Sequence, residues 1–376
     1  MVKKVKILFF IYQMGGGGAA RTLLNIMNNV DRERFIPYLV TLNMNGSYER
    51  ELKKDITFIK LETARLSRSI GRLKEIIQEE EIDIVFSTIP RVNTIAIIAN
   101  RLARRKAVNI IREADNLGGS VKENIQLLGF GMIYKLAHQI VSLSEGVKRN
   151  LVRRYKVKPS DIEVIYNPVD LQMIETKIDQ GKLDPEHEAL FETADKVIVT
   201  AGRLVKQKDQ ETLLKAFAKV NETIKCQLIL LGEGPLKESL VSLTNQLEIA
   251  DRVHFLGFQS NPYLYFAKSD LFVLTSIHEG FSHVIAEALA TGTPVVATDC
   301  LSGPREVLNH GKYGQLCKVA DVREVAEKMQ MVLSYNQEEM EQVRVKGIER
   351  AAHFDAKKIV AQYETLFLQT LKRKKV

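Results

Sequence analysis

The chain has 376 residues, of which 45% are hydrophobic and 27% charged, the composition of an ordinary globular protein. This length exceeds what one compact core usually serves and predicts two domains. No stretch reaches the roughly 18 consecutive apolar residues that a membrane-spanning helix needs. The most apolar stretch, 124–143, is interrupted by Lys135 and His138 and predicts a buried helix that runs into a strand. Apolar sequence begins at Val5 without a signal-peptide cleavage pattern, which predicts a cytoplasmic protein.

The distribution of charge bears on the binding partners of the chain, and the cysteines bear on disulfides and metal sites. The net charge is +8, but residues 1–169 carry 28 Lys and Arg against 17 Asp and Glu, whereas residues 170–376 carry 26 against 29. The first half is therefore basic and the second slightly acidic. Cys226, Cys300 and Cys317 lack metal-ligand spacing and are predicted to be buried free thiols.

Strand-like runs alternate with amphipathic segments along the whole chain. The runs are 5–12, 35–42, 56–61, 82–89, 107–112, 139–143 and 162–166, and then 196–201, 226–231, 253–256, 271–275, 294–299 and 315–319. Runs rich in Val, Ile and Leu between helices indicate parallel sheets covered on both faces. We therefore predict an α/β protein of two Rossmann-like lobes, 1–169 and 196–355, which face each other across a cleft. A polar, strand-free linker region, 170–195, joins the lobes, and residues 356–376 follow the second lobe.

The first strand ends in a loop of four glycines, Gly15 to Gly18, followed by a helix. Such a loop lets backbone N–H groups approach a phosphate at the helix N-terminus, although a flexible turn has the same composition. Gly15, Gly17 and Ala20 also match a loose dinucleotide fingerprint. The second strand, however, ends in Thr-Leu-Asn without the acidic residue that holds a ribose, and this disfavours an NAD-dependent dehydrogenase.

The second lobe carries the more specific motifs. Arg203 and Lys208 follow one strand, and two cations at the carboxyl end of a strand suit a diphosphate. After the strand 271–275 the sequence reads Ser-Ile-His-Glu-Gly-Phe-Ser-His, which predicts a helix that begins near Ser282 with this serine as its N-cap. Glu279 lies in the loop and Glu287 in the helix. Together the carboxylates offer acceptors for sugar or ribose hydroxyls, and the loop amides offer donors for an oxygen or a phosphate. His278 and His283 have poor spacing for a shared metal, and His283 is predicted to be structural.

Glu279 and Glu287 form an E-x7-E motif, and with the glycine loop, Gly202-Arg203-Leu204 and Lys208 it resembles the retaining glycosyltransferases of family 4, which have the GT-B fold. Gly232-Glu233-Gly234-Pro235 and Gly292-Thr293-Pro294 match as well, in the same order along the chain. The resemblance covers nearly the whole chain. It implies transfer of a hexose or N-acetylhexosamine from a nucleotide-diphosphate sugar, typically a UDP-sugar, to a saccharide acceptor. It implies front-face attack with retained anomeric configuration, and no metal or cofactor. The basic charge of the first lobe suggests in addition that this acceptor is lipid-linked and presented at a membrane.

The resemblance also implies roles for individual residues. Arg203 and Lys208 stabilise the leaving diphosphate, Glu279 and the amides of Gly280, Phe281 and Ser282 hold the sugar, and Glu287 holds the ribose. Gly257 and Phe258 cradle the base, Gly16, Gly17 and Gly18 close over the phosphates, and the helix 356–371 packs back on the first lobe. Where many relatives have a histidine in the first lobe, this chain has Arg112 and Glu113, which are assigned to the acceptor side.

One alternative that shares the fold is a non-hydrolysing sugar-nucleotide epimerase. An alternative from another class is an inert nucleotide-sugar-binding or scaffold protein. The basic first lobe suggests contact with an anionic membrane, on the inner face of the cytoplasmic membrane, although a solvated basic face explains the same charges. The cations concerned are Arg101, Arg104, Arg105, Lys106, Lys148, Arg149, Arg153, Arg154 and the tail Lys372 to Lys375. No recognition motif or aromatic series supports a nucleic-acid partner.

Overall fold

A computed structural model describes residues 3–15, 17–104, 107–193 and 195–375, with side chains described to residue 373. Its strands are β1 Val5–Phe10, β2 Phe35–Thr41, β3 Thr57–Lys60, β4 Ile84–Thr88, β5 Val108–Glu113, β6 Gln139–Ser142, β7 Ile162–Val164, β8 Lys196–Ala201, β9 Cys226–Leu231, β10 Val253–Gly257, β11 Leu271–Leu274, β12 Val295–Thr298 and β13 Gln315–Cys317. Its helices are α1 Gly18–Asn29, α2 Ile70–Glu79, α3 Pro90–Leu102, α4 Val121–Tyr134, α5 Glu145–Asn150, α6 Leu171–Asp179, α7 Pro185–Glu188, α8 Gln210–Asn221, α9 Lys237–Gln246, α10 Tyr263–Lys268, α11 His283–Ala290, α12 Pro304–Val307, α13 Val322–Leu333, α14 Gln337–Ala351 and α15 Ala356–Lys375.

The chain divides into two compact units, each built on one parallel sheet. Unit 1 comprises Met1–Pro168 and Ala356–Val376, and unit 2 comprises Val169–Asp355. The sheet of unit 1 has the strand order β3-β2-β1-β4-β5-β6-β7, and that of unit 2 has the order β10-β9-β8-β11-β12-β13. All strand pairs are parallel. The predicted α/β fold with two Rossmann-like lobes is confirmed. The linker region 170–195 contains α6 and α7 and belongs to unit 2.

The core of unit 1 needs the last helix of the chain. Phe86 on β4 packs edge-on against Tyr363 and Phe367 of α15, with ring centroids 5.7 Å apart in both pairs. Glu364 accepts a hydrogen bond of 2.7 Å from the backbone N–H of Asp31 just beyond α1. Burying large aromatic side chains contributes strongly to stability, so α15 is an integral part of unit 1. The predicted return of the C-terminal helix to the first lobe is confirmed.

Helix α4 departs from the predicted buried helix. Its side chains at Leu127 and Tyr134 are buried, but Val121, Ile125 and Met132 are among the most exposed large hydrophobic residues of the described chain. The high apolar content of 124–143 therefore does not come from core positions alone. One face of α4 packs on unit 1, the opposite side is apolar and exposed, and the buried strand β6 follows. The expectation of a buried helix that runs into a strand is therefore wrong only for the exposed side of α4, because α4 meets the rest of unit 1 along one narrow face.

Some predicted features fall outside the described residues. These are Gly16 of the glycine loop, Arg105 and Lys106 of the basic cluster, and the side chains of Lys374 and Lys375 in the tail. All three cysteines are buried free thiols, as predicted. Within the described part of the chain, none of the helices combines the length and the apolar character that crossing a membrane demands.

Candidate functional site

Each sheet has one position where the strand order reverses, and the motif residues follow the strands at these positions. In unit 2 the order reverses between β8 and β11, which lie side by side. Arg203 and Lys208 follow β8, and Glu279 follows β11. In unit 1 the reversal lies between β1 and β4, and the glycine loop follows β1. Ligands of open parallel sheets bind beyond the carboxyl ends of strands at such positions, because the two flanking loops diverge there and leave a crevice.

Lys208 and Glu279 form an ion pair across the reversal in unit 2. The Lys208 ammonium donates to Glu279 Oε1, and the side chains are only 16% and 9% exposed. The hydroxyl of Ser276 donates to the same oxygen over 2.7 Å. The stem of Lys208 passes close to Gly202, where an added Cβ would lie 3.3 Å from Lys208 Cε. Gly202 therefore leaves room for the lysine to reach from the end of β8 to the end of β11.

The two loops that carry this pair are hydrogen-bonded along their length. The backbone N–H of Ile277 donates to Gln207 O over 2.8 Å, and the amide of the Gln207 side chain donates to His278 O over 2.9 Å. The Thr275 hydroxyl also donates to Asp209 O over 2.8 Å. These bonds fix the loop 202–209 against the loop 275–279, so that Lys208 and Glu279 are pre-positioned rather than meeting by chance.

Ser282 precedes α11 but does not cap it in the predicted way. Its backbone is left-handed, with φ 73°, and its side chain makes no capping hydrogen bond. The Ser282 hydroxyl is buried and has no hydrogen-bond partner among the described residues. A buried hydroxyl without a partner costs about 1–3 kcal/mol, so this position is one that a bound ligand would stabilise. Ser282 therefore occupies the predicted N-cap position, but with this left-handed backbone its side chain makes no capping hydrogen bond.

The other members of the second-lobe motif lie around the same loop. Phe281 is buried, and its ring packs edge-on against Phe354, with centroids 5.1 Å apart. Gly303 approaches this turn so closely that a Cβ there would lie 3.0 Å from Glu279 Cβ. The packing on both sides keeps the turn Gly280–Ser282 in one conformation. We conclude that its amides have fixed directions at the start of α11.

Glu287 lies on α11 and is buried, and this requires polar partners for its carboxylate. One of them is Tyr263 on α10, whose hydroxyl donates to Glu287 Oε1 over 3.2 Å. Arg203 is exposed at the end of β8, and Phe258, just after β10, is 48% exposed. Gly257 has φ 70° and accepts a hydrogen bond of 2.7 Å from the N–H of Gly232. Gly257 and Phe258 therefore lie at the same edge of the sheet as Lys208 and Glu279.

Arg112 and Glu113, predicted on the acceptor side, are both buried and point to opposite faces of β5. Arg112 donates to Thr88 Oγ1 over 3.1 Å and to Asn167, all within unit 1. On the other face, Glu113 Oε1 accepts from Asn93 over 2.9 Å and from the Tyr134 hydroxyl. Burial raises the pKa of Glu113 to about 7. Neither side chain is exposed to an acceptor, so their acceptor-side role stays a prediction.

In the glycine loop, Gly17 is the N-cap of α1 and Gly18 its first residue. A Cβ at Gly17 would meet no atom within 4 Å. Open space above a helix N-terminus suits the approach of an anion, as the sequence predicts. The role of this loop in closing over phosphates stays a prediction.

Sequence reasoning assigned no role to Ser276, Tyr263 or Ser302, yet all three contact the motif carboxylates or their backbone. The Ser302 hydroxyl donates to Glu279 O over 2.5 Å. Ser276 and Ser302 stand at the carboxyl ends of β11 and β12, a position that can be recognised in sequence. Tyr263 offered no such signal, because its contact with Glu287 depends on how α10 packs against α11. No group of three or more His, Cys, Asp and Glu side chains within the described ranges has the geometry to hold a metal ion.

Both units of the chain match known protein families. Residues 16–173 match the model of Glycosyltransferase Family 4, and residues 184–350 match that of Glycosyl transferases group 1. Over 377 aligned positions the chain is 30% identical to the N-acetylgalactosamine-N,N'-diacetylbacillosaminyl-diphospho-undecaprenol 4-alpha-N-acetylgalactosaminyltransferase of Campylobacter jejuni, with 94% of this chain and 97% of the relative covered.

Two further proteins are similar over most of the chain. The N-acetyl-alpha-D-glucosaminyl L-malate synthase of Bacillus anthracis is 29% identical over 314 residues, which covers 80% of this chain and 78% of the relative. The crystal structure of Anabaena HepE in complex with UDP-glucose superposes with a TM-score of 0.81 at 22% identity, covering 96% of this chain and 99% of that one. At this identity the structural likeness shows the fold alone.

Proposed function

Since this chain belongs to the family 4 glycosyltransferases of the GT-B type, which act on sugar-nucleotide donors, we propose that it moves a hexose or N-acetylhexosamine from a UDP-sugar to a lipid-linked saccharide and retains the anomeric configuration. The Campylobacter relative bears the name of an N-acetylgalactosaminyltransferase that acts on a diphospho-undecaprenol saccharide. Its similarity extends over both units of this chain and supports a lipid-linked acceptor. Membership of an assembly route for cell-surface glycans follows from the same proposal.

The ion pair of Lys208 with Glu279 is the observation that carries the donor side of the proposal. When the anomeric bond breaks, negative charge builds up on the leaving diphosphate. An ammonium group has three N–H donors, so Lys208 can keep Glu279 and still donate to a phosphate oxygen. The exposed Arg203 adds a planar, bidentate donor on the same loop. Fixed cations aimed at the developing charge supply the largest catalytic contribution in such a site.

We assign Glu279 to holding the transferred sugar and orienting Lys208. Its Oε1 is already engaged by Lys208 and by Ser276, and this engagement favours a positioning carboxylate over a nucleophile. Retention without a covalent intermediate then requires front-face attack, in which the acceptor hydroxyl enters on the side that the diphosphate leaves. Glu287 is assigned to the ribose hydroxyls, Gly257 and Phe258 to the base, and the amides of Gly280–Ser282, with the buried Ser282 hydroxyl, to the sugar or phosphate.

Replacing Lys208 tests the donor site. We expect Lys208→Ala to lower kcat by about 10²–10³, the loss typical of removing one preorganised donor to a developing charge. Lys206→Ala is the matched control, because Lys206 lies on the same short turn and is exposed. The assay measures UDP release from UDP-N-acetylgalactosamine, UDP-N-acetylglucosamine and UDP-glucose, with a detergent-solubilised diphospho-undecaprenol saccharide as acceptor. Proton NMR of the product reports the anomeric configuration.

The outcomes separate the proposal from its alternatives. Near-native kcat in Lys208→Ala would remove this lysine from the mechanism. Conversion of the sugar nucleotide without an acceptor would identify an epimerase. Binding of UDP, seen as a higher melting temperature, with no turnover of any of the three donors would indicate an inert binding protein, because ligand binding raises stability by mass action even without catalysis.

A further inference from the structure

Contacts at its start and along one face fix the orientation of helix α4 about its own axis. The hydroxyl of Ser120 accepts from the N–H of Glu123 over 3.2 Å, and the Glu123 carboxylate accepts from the N–H of Ser120 over 3.1 Å, which fixes the start of the helix. Its buried positions, Leu127, Gly131 and Tyr134, form one face. At Gly131 a Cβ would lie 1.8 Å from Tyr155 O. The helix is therefore in direct backbone contact there, and it cannot roll to bury its other side chains.

The exposed side of α4 carries a row of large apolar residues. Val121 is 78% exposed, Ile125 64%, Leu128 41% and Met132 67%, and Leu136 just beyond the helix is 44% exposed. Spacings of four, three and four residues place the side chains from Val121 to Met132 in a single line along the helix. Five of the fourteen exposed large hydrophobic side chains of the described residues lie here. Single exposed apolar residues are normal, whereas a continuous row marks a contact surface.

Cations flank this apolar row. Lys122 and Lys135 are exposed at its two ends, and Arg154 hydrogen-bonds Asn124 beside it. Glu123, committed to the capping box, is the one acidic residue of α4. Arg149 and Arg153 are exposed on the segments that follow β6, in a half of the chain with a net charge of +11.

An apolar row between cations matches the interface of an anionic bilayer, where lipid tails accept the row and headgroups accept the charges. A second copy of the chain fits less well, because it would bring the same cations face to face. The length of α4 agrees with this orientation as well. Its 14 residues extend about 21 Å, shorter than the roughly 20-residue helix that spans a bilayer, so it suits a position parallel to the surface.

We propose that α4 is a membrane-docking helix that lies on anionic phospholipid, with Val121, Ile125, Leu128 and Met132 inserted between the headgroups and Lys122 and Lys135 paired with lipid phosphates. This deepens the proposed function and rests on it in one respect: a lipid-linked acceptor is presented at that surface. Membrane docking itself requires no sugar donor. The two can therefore fail separately.

The test is co-sedimentation of the full chain with vesicles of phosphatidylcholine, with and without phosphatidylglycerol, at low and high salt. We expect binding to the phosphatidylglycerol vesicles that weakens with salt, because ionic screening reduces the attraction of the lysines. Ile125→Ser with Met132→Ser should lower the partition coefficient about a hundredfold, since burying each of these two side chains is worth about a factor of ten. Val345→Ser with Ile348→Ser is the matched control, because these residues are 46% and 50% exposed on α14 in unit 2.

Vesicle binding equal to wild type in the α4 double variant, or no binding of wild type to anionic vesicles at low salt, overturns the proposal. So does a wild-type dimer, seen by light scattering, that the α4 substitutions convert to monomer, because the row would then be a contact between copies. Circular dichroism melting confirms that the exposed substitutions leave the fold intact. Transfer to a detergent-solubilised acceptor is measured in parallel. If the α4 double variant loses vesicle binding but keeps transfer, the two roles are separate and docking is supported. If wild type shows no transfer at all, only the proposed function is refuted.

Discussion

Glu113 is a carboxyl group buried at the end of β5, and replacing it with glutamine is expected to remove a pH dependence from the stability of the protein. Its Oε1 accepts hydrogen bonds from Asn93 and Tyr134, but its Oε2 has no partner among the described residues. Arg112, next in sequence, lies on the other face of the strand and donates to neutral oxygens. Burial raises the pKa of Glu113 from its ordinary value of 4.5 to about 7, because this effect outweighs the lowering by the hydrogen bonds from Tyr134 and Asn93 and by the charge of Arg112.

The sign and size of the effect follow from proton linkage. Between pH 4.5 and about 7 the folded protein holds a proton on Glu113 that the unfolded chain has released. The free energy of unfolding is therefore highest below the lower pKa and falls as pH rises through the higher one. From about pH 5.5 to about pH 8 this loss amounts to about 2 kcal/mol. Glutamine is always neutral, so Glu113→Gln should lack this part of the pH dependence.

Urea denaturation followed by circular dichroism measures the difference in unfolding free energy between variant and wild type at the two pH values, so that other titrating groups cancel. Relative to wild type, Glu113→Gln should gain about 2 kcal/mol on going from about pH 5.5 to about pH 8. Glu163→Gln is the control, because Glu163 is exposed on β7 and its removal should change nothing. An unchanged difference for Glu113→Gln at the two pH values would show that this carboxyl is ionised throughout, and the reasoning from burial would be refuted.

Two further outcomes are expected. Gly131→Ala should lower the free energy of unfolding by about 1–3 kcal/mol or more, because its methyl group would lie 1.8 Å from Tyr155 O. The control Gly129→Ala, whose methyl group meets no atom within 4 Å, should be neutral or stabilising. Urea denaturation measures both variants, and equal unfolding free energies would contradict the close contact at Gly131. Removing divalent metal with EDTA should leave kcat unchanged in the UDP-release assay, because Lys208 and Arg203 provide the positive charge at the diphosphate. A loss of activity that Mg²⁺ restores would contradict this assignment.

The sequence predicted the architecture well because the strands are nearly continuous runs of β-branched and aliphatic residues. Each predicted run coincides with a strand, and the ends differ by one or two residues, as at 11–12, which follow β1 as a loop. The motif residues also follow the predicted strands. The direct pairing of Lys208 with Glu279, in contrast, requires the strand order, since β8 and β11 are separated in sequence by two other strands of the same sheet.

Sequence reasoning failed where one residue type has two possible surroundings. The sequence of an apolar helix is the same whether its second face packs against a core or is exposed to solvent. The sequence therefore predicts a buried α4. Ser282 does stand at the N-cap position of α11, but a side-chain capping bond usually requires an extended backbone, and the φ of Ser282 is 73°. The family resemblance assigns Arg112 and Glu113 to the acceptor side, which stays a prediction, but the sequence did not indicate that both would be buried. Their burial comes from the packing of α1, α3, α4 and α15 around β5, which no local pattern shows.

The burial of Arg112 changes what this residue can contribute. Its guanidinium donates to Thr88 at the end of β4 and, over 3.4 Å, to Thr22 in the first turns of α1. It also donates to Asn167, near the end of the first segment of unit 1. It therefore joins the ends of β4 and β5 to the helix that follows the glycine loop, at the reversal of strand order in unit 1. A fully buried cation held by neutral oxygens is costly, and such cost is tolerated where it fixes geometry or awaits an anion. We therefore expect Arg112 to act through the position of α1 and its glycine loop, not through contact of its own side chain with the acceptor.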